Sequence, residues 1–250
     1  MVQIVRNMCV GCRTCQKFCS VEAIKYDPVS KKCYINDDEC VDCYVCLRKH
    51  ICPRNAIEVT ELKSFYQQFA HMMSDPVENH GVTGVTGRGT EEVKTNDVTG
   101  RVRRGRVGIC IDVGRPGVGA RLYDVEKIAV ACASAGVKLE TKDHTPLAAL
   151  MPDVSTGKLE PGCLNTRVLS VIIEGNCSDE DFPKVMKALQ KVSKQIETVF
   201  SLGLILRVDV NGWNPVLKCL DDLGIPQPYR GKVNVGLGRP LAEPFIEKFD

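Results

Sequence analysis

The sequence has no long apolar run, no signal-peptide core and almost no net charge. No stretch is apolar and long enough to span a membrane. The chain opens Met1-Val-Gln-Ile-Val-Arg-Asn, with no apolar core or cleavage site of a secretory leader. Its formal net charge is +2, so nothing favours nucleic acid or an anionic membrane surface as a partner. It contains neither G-x-G-x-x-G nor a Walker A loop, and hence no nicotinamide, flavin or nucleotide fingerprint. What it has in excess is cysteine, fourteen residues in 250. Disulfide frameworks of that density belong to short secreted chains. Here they imply a reducing compartment, the cytoplasm, and thiols available to a metal. The length allows one small and one medium domain.

Eight of the cysteines form two runs. The first is Cys9-Val-Gly-Cys12-Arg-Thr-Cys15-Gln-Lys-Phe-Cys19, and the second is Cys40-Val-Asp-Cys43-Tyr-Val-Cys46, closing at Cys52-Pro53. Thiolates at C-x2-C-x2-C spacing can all point into one small volume, the geometry of a cubane iron–sulfur cluster. Soft thiolates select iron–sulfur or zinc over hard cations. Zinc sites pair two C-x2-C knuckles, whereas each half here supplies three close cysteines and a distant fourth. Cys19-Ser-Val-Glu-Ala-Ile24 also matches Cys52-Pro-Arg-Asn-Ala-Ile57, an internal repeat.

On these residues, the segment 1–62 resembles a bacterial two-cluster [4Fe–4S] ferredoxin. In that family the fourth cysteine of each run ligates the other cluster. The resemblance therefore implies one cluster on Cys9, Cys12, Cys15 and Cys52, and a second on Cys40, Cys43, Cys46 and Cys19. Two departures stand out. Ser20 occupies a position where the family has proline, and five residues, Leu47 to Ile51, precede Cys52 where three are usual. Short strands are expected at 2–5 and 57–59, with a hairpin through Ile24-Lys-Tyr26 and Cys33-Tyr-Ile35. Cys33 reads as a small apolar residue of that hairpin rather than a ninth ligand. Tyr26, Tyr34 and Tyr44 are expected to pack around the clusters.

Residues 61–73 read as a short amphipathic helix, with Leu62, Phe65, Phe69 and Met72 or Met73 on one face, and the stretch 63–106 as that helix plus a glycine- and arginine-rich linker. His71 reads as a polar surface residue. Residues 79–106 are either an interdomain linker or an ordered contact surface. From 107 to 212 the pattern is β-α-β-β-α-β. Strands are expected at 107–113, 137–139, 168–173 and 200–208, with helical stripes from Leu122 to Cys132 and Phe182 to Val192. That order is the split βαβ plan of a ferredoxin-like α+β domain. Cys110 and Cys132 read as core residues. The loop Gly114 to Arg121 reads as a tight strand-to-helix turn; its glycines and arginines would also suit an anion at a helix N-terminus. Residues 213–250 read as one helix, from Pro215, and an extended tail.

The run Gly89 to Arg101, with the Gly108 to Gly119 strand and loop, resembles segments of iron–sulfur proteins labelled 6-hydroxynicotinate reductases. Two functions follow as expectations. One is an electron-transfer protein, or the electron-input subunit of a larger anaerobic oxidoreductase, with a redox partner or catalytic subunit in a hetero-oligomer. The alternative is a reductase, for example of a heteroaromatic ring, with substrate bound by the C-terminal domain. No catalytic residue stands out for the second.

Overall fold

A computed structural model describes residues 1–81, 83–88 and 100–225. The fold is mixed, with helices and small antiparallel sheets. The N-terminal part contains β1 (Val2–Ile4), a 3-10 turn (Thr14–Phe18), β2 (Ile24–Asp27), β3 (Lys32–Ile35), α1 (Val45–Arg48) and β4 (Ile57–Val59). β1 pairs with β4, setting Val2 opposite Val59 and Ile4 opposite Ile57. β2 and β3 form a hairpin with Tyr26 opposite Cys33. At its tip the Asp27 carboxylate accepts the Val29 N–H at 2.9 Å, the local bond that makes aspartate a turn residue. The core between these ribbons is made of Val2, Ile24, Cys33, Ala56 and Ile57 together with cysteines of both runs.

The rest of the chain gathers around a second core. α2 (Phe65–Ser74) starts on a capping box, in which Ser64 and Gln67 each satisfy the other's backbone N–H. β5 (Arg106–Val113), β6 (Ala120–Arg121), α3 (Leu122–Ser134), β7 (Lys138–Leu139), β8 (Arg167–Val168), β9 (Val171–Ser178), α4 (Phe182–Val192), β10 (Phe200–Ile205) and α5 (Pro215–Asp222) follow. Four of these strands form one sheet in the order β10-β5-β9-β7, every neighbouring pair antiparallel. β5 alternates between two faces that are both covered. Val107, Ile109, Ile111 and Val113 enter the core with α3 and α4, while Cys110 meets Ile172 and Ile205 on the other face.

Three local expectations change. The strand expected at 168–173 is split. Val168 pairs with Ala120, and the Leu169 N–H is taken by the Ser74 hydroxyl at 3.0 Å, so β9 begins only at Val171. β10 stops at Ile205, short of Val208. In α2, Phe65 is exposed, and Phe69, Ala70 and Met73 are the buried face. These three, with Val216 and Leu220 of α5, lie in the same core as the four-stranded sheet.

Two described residues of the glycine- and arginine-rich segment meet the outer face of that sheet. Arg88 pairs with Asp112 at 2.5 Å. Val102 is buried over Gly108, where a Cβ would sit 2.8 Å from its methyl group. Most of the run resembling hydroxynicotinate reductases, residues 89–99, lies outside the described residues, as does the tail beyond 225. Among the described residues no helix is long and apolar enough to cross a membrane.

Candidate metal centre

The two cysteine runs adopt the same backbone. The second follows the first by 31 residues, Cys9 to Cys40, and by 33 at the fourth cysteine, Cys19 to Cys52. Left-handed residues recur at matching places. Gly11 matches Asp42 (φ 70° and 48°), Arg13 matches Tyr44 (61° and 56°), and Glu22 matches Asn55 (57° and 51°). A left-handed residue other than glycine costs about 1–2 kcal/mol and persists only where its surroundings hold it there. Five of these six are not glycine. The matched strain turns backbone N–H groups toward sulfur. The Ala23 N–H donates to Cys19 Sγ at 3.1 Å, and the Ala56 N–H donates to Cys52 Sγ at 3.3 Å.

The two extra residues before Cys52 fall after Cys46. The first run has a 3-10 turn here, and the second has the full helical turn α1. This turn presents Arg48, which pairs with Asp75 at the end of α2 and donates to the Cys43 carbonyl at 2.6 Å. The insertion thus ties the second run to the rest of the chain.

Cys19, Cys40, Cys43 and Cys46 line one apolar cavity, together with Val2, Ile24, Val41 and Tyr44. We call this site two. Ser20, the residue in place of proline, sets its hydroxyl 3.4 Å from Cys43 Sγ. Asp42 is buried and accepts the Val2 N–H at 2.8 Å. Tyr44 stacks on His71, with ring centres 4.1 Å apart, and His71 Nδ1 lies 2.7 Å from the Asp42 carbonyl oxygen. His71 is therefore half-buried against site two rather than a surface residue, because α2 packs across the second run.

Cys9, Cys15 and Cys52 pack against the N-terminal core, and Cys12 is exposed at its edge. This is site one. Cys9 Sγ accepts the Gly11 and Cys33 N–H groups, both at 3.4 Å, and Cys12 Sγ accepts the Thr14 hydroxyl at 3.4 Å. Arg13 covers the Tyr26 ring at 3.6 Å. Tyr34, expected beside the clusters, is 40 % exposed, since successive residues of β3 face opposite sides.

Burial pushes the Cys40 thiol up to about 12, Cys46 up to about 11 and, in site one, Cys15 up to about 12. The Thr14 hydroxyl pulls the exposed Cys12 thiol down. A buried thiol so biased keeps its proton until a cation replaces it, which couples metal uptake to proton release. Among the described residues no three His, Cys, Asp or Glu side chains converge on a point that could hold a single ion. Cys19, Cys40, Cys43 and Cys46 are instead neighbours along the wall of one apolar cavity.

The loop Gly114 to Arg121 spends its polar groups inside the protein. The Gly117 N–H donates to the Ser20 carbonyl at 2.5 Å, and Arg115 bonds Ser201. The first amides of α3, on Leu122 and Tyr123, are taken by the Thr166 and Leu164 carbonyls. Arg121, with Arg167, reaches the carboxylate of Glu39, the residue before Cys40. The loop is a bracket for site two. Glu39, Arg167 and Asp42 were not legible as partners in the sequence. Asp42 had one signal, an acidic residue standing in the repeat where Gly11 stands. No protein family model, no curated protein and no solved structure matches this chain.

Proposed function

We propose that residues 1–62 hold two [4Fe–4S] clusters, one on Cys9, Cys12, Cys15 and Cys52 and the other on Cys40, Cys43, Cys46 and Cys19. On this reading the protein passes single electrons, alone or as the electron-input subunit of a larger oxidoreductase. The observation that carries it is the cavity lined by Cys19 from the first run and by Cys40, Cys43 and Cys46 from the second. Crossed ligation requires that a fourth cysteine leave its own run and join the other. The matched left-handed residues and the N–H donors on Cys19 and Cys52 support the same reading.

Each cluster, when bound, supplies a one-electron redox centre. The chain's own residues do three things for it. Thiolates ligate, backbone N–H groups and hydroxyls donate to those sulfurs, and Val2, Ile24 and Val41 exclude water. The remainder reads as a ferredoxin-like split βαβ domain, supported by the strand order β10-β5-β9-β7 with α3 and α4 as the crossovers. Its role is to hold the electron-transfer module against a partner or catalytic subunit.

Anaerobic purification with iron and acid-labile sulfide assays tests the reading. The expected content is about eight of each per chain. Stoichiometric zinc with no visible charge-transfer absorption would refute it.

A further inference from the structure

The internal repeat reverses its charge from one site to the other. Arg6, Met8, Gly11 and Arg13 of the first run stand where Asp37, Glu39, Asp42 and Tyr44 stand in the second. The fold brings further cations to site one. Lys32 Nζ donates to the Cys9 carbonyl at 2.5 Å. The Lys31 backbone lies against Gly11, where a Cβ would meet its carbonyl oxygen at 2.1 Å. Arg13 covers the Tyr26 ring, whose edge the same Cβ would meet at 3.5 Å. Arg6 lies on the turn that the Cys9 N–H closes onto the Val5 carbonyl. Arg6, Arg13 and Lys31 are exposed. The carboxylate at this end, Asp27, is occupied by the Val29 N–H and the Ser30 hydroxyl.

Inside this rim the surface is apolar and open. Met8 and Val10, on either side of Cys9, are 41 % and 61 % exposed. Of the eight cysteines in the two runs, Cys12 is the exposed one. The approach to site two is taken up by the chain itself. Tyr44 stacks on His71 of α2, and Leu169 packs against Cys19, Cys40 and Cys43. Glu39 is held by Arg121 and Arg167.

We propose that the face around Cys12 is the docking surface for an acidic one-electron carrier protein, which exchanges its electron with site one. A charged rim about an apolar centre is the make-up of a specific protein contact. Electron-transfer encounters are small, so a patch of this kind suffices. Opposite charge speeds the encounter and fixes which face the carrier meets. A site of four thiolates is itself negative, and the cations offset that charge for an acidic protein drawing near. One electron leaves site one and one enters the carrier; no bond at the sulfurs forms or breaks. A nucleic acid or a lipid surface would use the cations but has no use for a redox site at their centre.

This inference rests on the two-cluster reading, and the experiment separates the two. The protein is purified anaerobically, assayed for iron, reduced with dithionite and freed of the excess. It is then mixed with oxidised flavodoxin, an acidic flavin carrier, at rising salt. The flavin gains one electron from the protein and one proton from water, and the absorption of its semiquinone gives the rate. In the wild type that rate should fall by about tenfold or more towards about 1 M salt, where the Debye length is about 3 Å. Combined Arg6→Glu, Arg13→Glu and Lys31→Glu should lower the low-salt rate by about tenfold to hundredfold and meet the wild type at high salt. Combined Lys142→Glu, Lys187→Glu and Lys194→Glu makes the same change in net charge on exposed lysines of the α/β unit, and should lower it by about twofold at most. An iron-loaded wild type that passes no electron to flavodoxin, or passes it at a rate indifferent to salt, overturns the docking face and leaves the two-cluster reading standing. Equal losses in the two triple variants do the same. So does binding to phosphatidylglycerol vesicles without transfer to flavodoxin, which would make the face a membrane contact. Should the glutamate triple lose iron, the glutamine triple at Arg6, Arg13 and Lys31 replaces it, with a smaller loss of rate expected. Iron lost from both would make these cations structural and also overturns the proposal. A wild type without iron overturns both readings.

Discussion

Glu39→Ala tests whether the cysteine-rich module is held against the α/β unit by its charges. Glu39 accepts two arginines from that unit. Arg167 is only 12 % exposed, against 33 % for Glu39. Arg121 lies 3.2 Å away and is 28 % exposed. A hydrogen bond to a charged group contributes about 1.5–3 kcal/mol, and the partial exposure of Glu39 puts the Arg167 bond at the lower end. The Arg121 pair is closer to a surface salt bridge, about 0.5 kcal/mol. Arg167 keeps its bond to the Val118 carbonyl, so it is not left stranded. The loss should be about 2 kcal/mol. In a chain of this size that lowers Tm by about 4–8 °C. The assay is thermal unfolding by circular dichroism, with iron content measured beside it. Arg167→Ala should cost a similar amount, and the double variant less than the sum. An unchanged Tm in Glu39→Ala with full iron, or strict additivity in the cycle, would refute the reasoning.

Other outcomes follow from single contacts. In Cys19→Ser the EPR of site two should be disturbed, and in Cys52→Ser that of site one; disturbance of the same site by both would reject crossed ligation. Gly11→Ala forces a methyl group to within 2.1 Å of the Lys31 carbonyl oxygen at φ +70°, so iron content should fall from about eight toward about four. Phe182→Ala empties a fully buried site in the sheet–helix core and should cost about 3–5 kcal/mol in denaturant unfolding. Burial pushes the Cys132 thiol up to about 12 and Cys177 up to about 11, while unfolded thiols titrate near the ordinary value of 9.0. The unfolded chain loses these protons first, so folding stability should be full below pH 9 and decline as pH rises toward 11–12. A flat profile there, in urea titrations of the wild type, would count against burial of the two thiols.

Cysteine spacing alone was enough to locate eight candidate ligands and to divide them into two repeated runs, because ligand geometry is local and nearly every intervening residue is counted. Strands and helices of the second half were also legible, since Val107, Ile109, Ile111 and Val113 alternate and Phe182, Val185, Met186 and Leu189 recur at helical period. Their ends were not. Where β9 starts depends on Ser74, ninety-five residues earlier, capturing the Leu169 amide. His71 was misread for the same kind of reason. A lone histidine on an amphipathic helix carries no mark of the Tyr44 ring it stacks on. A cysteine outside the runs gives no sign that β3 turns its amide onto Cys9 Sγ. Gly117 and Ser20, Glu39 and Arg167, and Val2 and Asp42 are likewise joined only by the folded chain. The candidate ligands are marked by short-range spacing. The groups that surround these cysteines come from distant segments, and only tertiary packing brings them to the sulfurs.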